Sequence, residues 1–150
     1  MDKTQILQFI NQHDLCVLST VSPENLPESA VIKFVITDNF EIVFNTYNTY
    51  RKYKNMQQNS NVAVVIGGEK GITVQYEGKS VELQGKELER YQEIFHQKHS
   101  KSKWHTHPQT RFFKIIPTWL RYSDVRDFEK RKIIEIKDFE FLSEKKINGV

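Results

Sequence analysis

The stretch FNTYNTYRKYKNM, residues 44–56, guides the interpretation of the whole chain. Apolar side chains alternate over residues 41–46, a pattern that predicts the end of a β-strand. Asn48 and Thr49 follow, and both residue types are favoured at helix N-caps. We therefore expect a strand, a tight turn and then a short helix beginning at about Thr49.

Arg51 and Lys52 fall in the first turn of this predicted helix. A helix N-terminus already carries partial positive charge, so cations there are unfavourable unless they meet an anion. Backbone amides, the Thr49 hydroxyl and the two cations together favour a bound phosphate. The alternative interpretation is a solvated basic helix without a ligand.

Length and composition indicate one ordinary globular domain, residues 1–150, with 27% charged and 38% hydrophobic residues. The net charge of +3 is too mild to indicate nucleic acid by itself. The single cysteine, Cys16, lies in an apolar run and is interpreted as a strand residue, which suits a reducing, cytoplasmic setting. The first residues lack the pattern of a signal peptide, and no apolar run has membrane-spanning length.

Hydrophobic periodicity predicts more strands than helices. Besides the helix after Thr49, helices are expected at residues 2–12, beginning at Asp2 or Thr4, and at residues 87–97. Strands are expected at residues 15–21, 27–37, 40–46, 61–66 (buried on both faces), 72–84 with a bulge or bend at Gly78, 112–124 broken by Pro117, 132–136 and 139–142. Because hairpins link most of these strands, the pattern predicts a small antiparallel barrel with packed helices.

The order of these elements resembles the pyridoxamine 5'-phosphate oxidase family of FMN-binding split β-barrels, over residues 15–124. Four segments carry the resemblance: LCVLSTVSPENLPESAVIKFV at 15–35, FNTYNTYRKYKNMQQNSNVAVVI at 44–66, TVQYEGKSVEL at 73–83 and FFKIIPTWLRYSD at 112–124. The second segment is the most specific. The resemblance implies a mainly β (α+β) fold, an antiparallel six- or seven-stranded Greek-key split barrel with two or three flanking helices.

The resemblance also implies a cofactor, a partner and an activity. FMN would lie at a homodimer interface and take part in hydride transfer at flavin N5, with a small-molecule substrate that the sequence does not identify. Arg51 and Lys52 correspond to the family's phosphate-binding pair, and Thr73 and Gln75 to polar contacts from the other subunit. The complete set of predicted cofactor-binding residues is Ser29, Ala30, Val31, Ile32, Lys33, Asn45, Thr46, Thr49, Arg51, Lys52, Thr73, Gln75 and Trp119.

Some positions depart from the family pattern. Tyr50 stands where the family often has serine, and small residues near Ala30 replace a phosphate-binding arginine. The chain after Asp124 lacks a clear counterpart of the arginine and histidine that bind the substrate phosphate in the true oxidase. We therefore expect a substrate other than pyridoxine or pyridoxamine 5'-phosphate.

Four histidines lie within residues 96–107. Such a cluster is able to bind a transition metal or haem, and His105 and His107 would share a face of a strand. No cysteine or carboxylate completes a recognisable ligand set, however, and interleaved lysines repel cations. We expect no metal site, and a basic loop that borders the flavin and selects an anionic substrate. A non-catalytic flavin- or haem-binding protein that uses this loop is the alternative function.

A third class to consider is a small nucleic-acid-binding barrel. Tyr47, Tyr50 and Tyr53 alternate with basic residues, as in proteins that stack bases on aromatic side chains. Because the resemblance implies a flavin phosphate at the same basic segment, we expect no nucleic-acid partner. The lack of an apolar run of membrane-spanning length predicts no membrane partner either.

Overall fold

The computed structural model describes residues 2–139, in which three α-helices and eight strands alternate. In chain order they are α1 (Lys3–Asn11), β1 (Leu15–Val21), β2 (Pro27–Lys33), β3 (Val35–Ile36), β4 (Ile42–Tyr47), α2 (Arg51–Gln58), β5 (Asn61–Gly67), β6 (Ile72–Glu82), α3 (Gly85–Lys98), β7 (Thr110–Asp124) and β8 (Lys132–Ile136). A 3₁₀ turn, Phe128–Lys130, precedes β8. Within the described range, no helix is long and apolar enough to cross a membrane.

All paired strands are antiparallel, in the order β2-β1-β5-β6-β7-β4-β3. The long strand β7 pairs with β4 through its first half and with β8 through its last residues. The two strands at the ends of this order, β2 and β3, are separated in the chain by Phe34 alone. The sheet therefore curls into a half-barrel, which confirms the predicted antiparallel split-barrel fold with flanking helices.

The bend at Phe34 divides the strand that was predicted over residues 27–37. The Phe34 amide donates to the carbonyl of Asp14 at 3.2 Å, and its carbonyl accepts a hydrogen bond from Nε2 of buried His99 at 2.7 Å. The Lys98 ammonium lies 5.1 Å from the centre of the Phe34 ring. Buried backbone groups need hydrogen-bond partners, so the two hydrogen bonds of Phe34 allow the chain to bend sharply within the core.

Two hydrophobic clusters hold the curled sheet. The larger one fills the inside of the curl with side chains from α1 and from most strands, among them Ile10, Leu18, Phe44, Val64, Tyr76 and Leu120. The smaller one joins α3 to the outer side of β3, β4 and β7, through Val35, Val43, Leu83, Tyr91, Phe95 and Phe112. Asp2 is the N-cap of helix α1, and its side chain forms a reciprocal capping box with Gln5.

Two predictions about the middle of the chain are wrong. Helix α2 begins at Arg51 with Tyr50 as its N-cap, because Thr49 lies within the preceding turn and is not the cap. Strand β5 is not buried on both faces: Val62, Val64 and Ile66 are buried, whereas Val65 is 42% exposed. Asn61 and Ala63, on the same face as Val65, are exposed as well, so the outer face of β5 is uncovered in the single chain.

Gly78 marks a bulge, as predicted, but Pro117 does not break β7. Gly78 pairs with Pro117 and Glu77 with Trp119, so Thr118 is the extra residue on β7. A Cβ atom at Gly78 would lie 2.4 Å from the carbonyl oxygen of Ile116. Proline is tolerated here because a bulge relieves the strand of one ladder hydrogen bond. The strand predicted at 139–142 lies outside the described residues, except for Phe139, which is not in a strand.

We expect Gly78→Ala to destabilise the protein, because the added methyl group would collide with backbone that the bulge holds in place. Overpacking of this kind typically costs about 1–3 kcal/mol. For a domain of this size, that loss lowers Tm by roughly 2–4 °C per kcal/mol. Glu77→Ala, at an exposed position on the same strand, is the matched control. Equal melting temperatures for the two variants would contradict this description of the bulge.

Candidate cofactor site

Two clefts adjoin at the start of α2. The first cleft, of about 320 Å³, lies between α2, β1 and β2 and is lined by Leu18, Thr20, Glu28, Ser29, Ala30, Tyr50, Arg51 and Lys52. The second cleft, also of about 320 Å³, lies between β2, β4 and the loop before β7 and is lined by Val31, Ile32, Lys33, Asn45, Thr46, Tyr47, Tyr50, Lys52, Phe95, Ser102, Trp104 and His105. Tyr50 and Lys52 line both clefts, so a single elongated ligand could extend through them. Each volume is within the range of small-molecule sites.

Nine of the thirteen predicted cofactor-binding residues line these clefts: Ser29, Ala30, Val31, Ile32, Lys33, Asn45, Thr46, Arg51 and Lys52. The other four do not. Thr49 is exposed in the turn before α2. Thr73 and Gln75 lie on the outer face of β6, because the side chains of Val74 and Tyr76, which alternate with them, point into the core. Trp119 pairs with Glu77 on the same outer face. Within one chain, these outer-face residues are therefore separate from the clefts.

Arg51 in the first cleft already has a charged partner. Its Nη1 lies 2.9 Å from Oε2 of Glu28, while the Arg51 side chain stays 76% exposed. Asn55, buried on the next turn of α2, donates from Nδ2 to Glu28 Oε1 at 2.8 Å and to Thr20 Oγ1 at 2.9 Å. From residue 2 to residue 139, no side chain caps the first turn of α2, so its amides are available to a ligand.

Glu28 is the functional-site candidate that sequence reasoning missed. Its position opposite Thr20 follows from the hairpin register of β1 and β2. That register was predictable from the turn at residues 22–26, and it places Glu28 beside the small residues assigned to the cofactor. The contact with Arg51 was not predictable in the same way, because it depends on how α2 packs against the hairpin.

Lys52 is half-buried where the two clefts meet. Burial lowers the pKa of its ammonium group, because the charged form loses solvation. Its Nζ lies 4.9 Å from the centre of the Tyr50 ring. Among residues 2–139, no carboxylate forms an ion pair with Lys52. A bound anion would supply the missing partner and restore the pKa towards its ordinary value.

The second cleft is basic and aromatic, and none of its lining residues is acidic. Tyr47 is central to its aromatic part, with ring centres of Tyr50 at 5.2 Å and Trp104 at 5.5 Å. The Nδ2 atom of Asn45 is buried and has no hydrogen-bond partner within the described part of the chain. A buried donor without a partner is costly, and it suits a ligand with acceptor atoms on its edge. A flavin ring has such acceptors at O2, O4 and N5, so these residues fit FMN.

Three of the four histidines in residues 96–107, namely His96, His99 and His105, lie around Phe95, whereas the His107 ring stacks on Tyr47. His105 and His107 lie in the loop before β7, so the prediction that they share a strand face is wrong. The ring of His105 lies 4.7 Å from that of His96, and burial, His96 and Lys33 lower the pKa of His105. Among the residues that the structure describes, no group of three or more metal-binding side chains is present. The lowered pKa favours the neutral form of the His105 ring beside the second cleft.

Solved structures with the same fold include several different proteins. General Stress Protein 26 from Bacillus anthracis str. Sterne matches with 22% identity and a TM-score of 0.64, over 81% of this chain and 94% of that chain. A heme binding protein from Mycobacterium smegmatis matches with 10% identity and a TM-score of 0.71, over 89% and 58%. PhzG from Burkholderia lata 383, in complex with tetrahydrophenazine-1-carboxylic acid, matches with 14% identity and a TM-score of 0.64, over 90% and 81%.

These identities are low, so the solved structures show a shared fold and no more. A search of the curated proteins finds no significant match. The family model for pyridoxamine 5'-phosphate oxidase, in contrast, matches residues 3–124. This range includes every residue that lines the two clefts and all strands from β1 to β7. The chain therefore belongs to the pyridoxamine 5'-phosphate oxidase family.

Proposed function

We propose that the protein binds FMN in the two clefts and acts as an FMN-dependent oxidoreductase on a small substrate. One observation carries this proposal: nine residues that were assigned to the cofactor from sequence line two clefts that share Tyr50 and Lys52. The residues come from β2, β4 and α2, three elements that the fold brings together along one groove.

The two clefts suit the two ends of FMN. Arg51, Lys52 and the uncapped amides of α2 supply charge and hydrogen-bond donors for the phosphate in the first cleft. Val31 and the aromatic rings supply an apolar slot for the flavin ring in the second cleft. The unpartnered Asn45 amide would donate to an acceptor on the edge of that ring.

Bound FMN would supply hydride transfer at its N5 atom. The residues of this chain would orient the ring and adjust its charge. Lys33, or Gln75 from a second subunit, would place a donor near the N1/O2 edge, and a cation there favours the reduced cofactor. The basic loop that carries Trp104 and His105 would favour an anionic substrate, since no carboxylate lines this cleft.

Removing the Lys52 charge should weaken FMN binding strongly. Truncating one partner of a desolvated charge pair costs about 2–5 kcal/mol, or roughly 30- to 3,000-fold in affinity. We expect Lys52→Ala to fall in this range and Arg51→Ala to have a smaller effect, because the Arg51 side chain is 76% exposed. Calorimetric titration of FMN and of riboflavin into each variant measures both effects.

Lys54→Ala is the matched control, since Lys54 is an exposed cation on the same helix that lines neither cleft. Riboflavin lacks the phosphate, so its affinity should hardly change in any variant. FMN affinities within a few-fold of wild type in both Lys52→Ala and Arg51→Ala would show that the basic helix is only a solvated surface. Equal weakening of riboflavin would lead to the same conclusion.

The same proposal includes a homodimer. Apolar side chains are exposed on the outer face of β1, β2 and β5, where Val17 at 39% pairs with Val31 at 65% and with Val65 at 42%. Thr73 and Gln75 lie farther along this face, so a second copy packed here would carry its own pair of these residues towards the clefts. A shared site would explain why Thr73 and Gln75, which were predicted to contact the cofactor from the other subunit, lie away from the clefts of their own chain.

We expect light scattering at micromolar concentration to give twice the chain mass of 17.8 kDa. Val65→Lys should shift this equilibrium towards the monomer, because it buries a charge in the proposed interface. Gln8→Lys adds the same charge on an exposed position of α1 and should leave the dimer intact. A wild-type mass near 17.8 kDa would contradict the shared site.

Pyridoxine and pyridoxamine 5'-phosphate should be poor substrates. The chain after Asp124 lacks a clear counterpart of the arginine and histidine that would bind their phosphate group. Pyridoxal 5'-phosphate formation with oxygen as acceptor, followed by absorbance, measures this directly with FMN-loaded protein. Rapid turnover would contradict the expectation.

Haem binding is the alternative, and one solved structure with this fold is a heme binding protein. In this chain, His99 Nε2 is held by the Phe34 carbonyl and His105 Nδ1 accepts from the Ser102 amide at 3.2 Å. These contacts reduce the number of ring nitrogens that are free for iron. The absorption spectrum of the purified protein distinguishes a flavin from the Soret band of haem.

A cytoplasmic location also belongs to this proposal. It rests on the single cysteine, which cannot form an internal disulfide. Burial raises the pKa of the Cys16 thiol to about 12, so the group stays protonated and unreactive.

A further inference from the structure

Glu28 is a carboxylate inside a cleft whose other charged residues are cations. The first cleft has three charged side chains, Glu28, Arg51 and Lys52, which give it a formal charge of one positive unit. A site built for a doubly charged anion would be expected to exclude a carboxylate. Its presence indicates that the ligand's charge, and not only its shape, is selected here.

The Glu28 carboxylate is fixed, whereas the Arg51 side chain is movable. Glu28 is 21% exposed and is anchored by Nδ2 of Asn55, which is 2% exposed and also bonds to buried Thr20. Turning Glu28 away would leave this amide with one partner fewer in the interior. Arg51 is 76% exposed and can rotate towards a ligand. An arriving phosphate therefore meets a carboxylate that stays in place.

A phosphate dianion in this cleft would place negative oxygens beside a fixed negative oxygen. Like charges at close range disfavour each other's charged forms. A singly charged phosphate avoids this conflict. A phosphodiester has one charge and can turn its esterified oxygen towards Glu28, and a protonated monoester can donate its P–O–H hydrogen to the Glu28 carboxylate.

We propose that Glu28 makes the first cleft selective for a singly charged phosphate, either a phosphodiester or a phosphomonoester that retains one proton. This inference rests on the proposed function, since it requires a phosphate in the first cleft. Glu28 faces Arg51 and Asn55 of α2 and Thr20 of β1, and Lys52 is the remaining charged group of the cleft. The consequence is that FMN binding takes up a proton at neutral pH.

The test compares FMN with its phosphate methyl ester, a diester with one charge across the range from pH 6 to pH 8. Both are titrated into wild type and Glu28→Gln. The second pKa of a phosphate monoester is about 6, so its singly charged fraction falls by roughly 50-fold between these pH values. We expect the wild-type affinity for FMN to fall by about 10- to 50-fold, and the affinity for the diester to stay constant.

Glu28→Gln should bind FMN about tenfold more tightly than wild type at pH 8, with only a few-fold change from pH 6. Glutamine is nearly isosteric and its carbonyl oxygen can still accept from Asn55, so the fold should survive, as an unchanged Tm would verify. If the variant did not fold, the comparison of the two ligands on wild type would still test the selectivity for a singly charged phosphate, because an FMN affinity that does not fall between pH 6 and pH 8 would overturn it. A pH dependence shared by the diester would assign the proton uptake to a group of the protein and not to the phosphate, and would overturn the role of Glu28.

Other outcomes are equally distinct. An FMN affinity for wild type that is independent of pH, or an equal slope in Glu28→Gln, would overturn the selectivity while leaving FMN binding in place. If neither ligand bound to wild type at any pH, the proposed function itself would fail, and the role of Glu28 with it.

Discussion

The bend at Phe34 is the constraint on which the rest of the structure depends. It sends consecutive residues of the chain to opposite ends of the sheet order, as β2 and β3, and so makes a flat sheet impossible. The bend is stable because Asp14 and His99 satisfy the backbone groups that leave the sheet ladder. Through His99, the residue that ends helix α3, this helix fixes the end of β2, the strand that carries five of the proposed cofactor residues. Contacts between β2 and β4 then form the seam along which the second cleft opens.

Local patterns predicted most of the fold, and the misses have a common cause. Alternation and turn residues placed β1, β6 and α3 to within a few residues of their observed positions. The break at Phe34 escaped prediction because apolar alternation continues through it, and only contacts distant in sequence reveal it. The exposure of Val65 escaped for the same reason: a run of apolar residues looks alike whether the core or a second molecule covers it.

The sequence predicted where the candidate site lies more readily than it predicted the charges and hydrogen bonds within the site. Family resemblance pointed to β2, β4 and the start of α2, and these segments do meet. The ion pair between Arg51 and Glu28 and the unpartnered Asn45 amide depend on packing between elements far apart in the chain. The result is a groove whose two ends differ in charge. One end balances two cations against a fixed carboxylate, and the other combines cations and aromatic rings without a carboxylate.

The central claim is that these clefts hold FMN between two copies of the chain. Native mass spectrometry of the protein, incubated with equimolar FMN and haem, tests this most directly, because it reads ligand identity and subunit count together. We predict a dimer with two FMN molecules, and release of FMN on unfolding. A single chain that retains FMN would contradict the shared site, and a protein that retains haem or no ligand would contradict the claim as a whole.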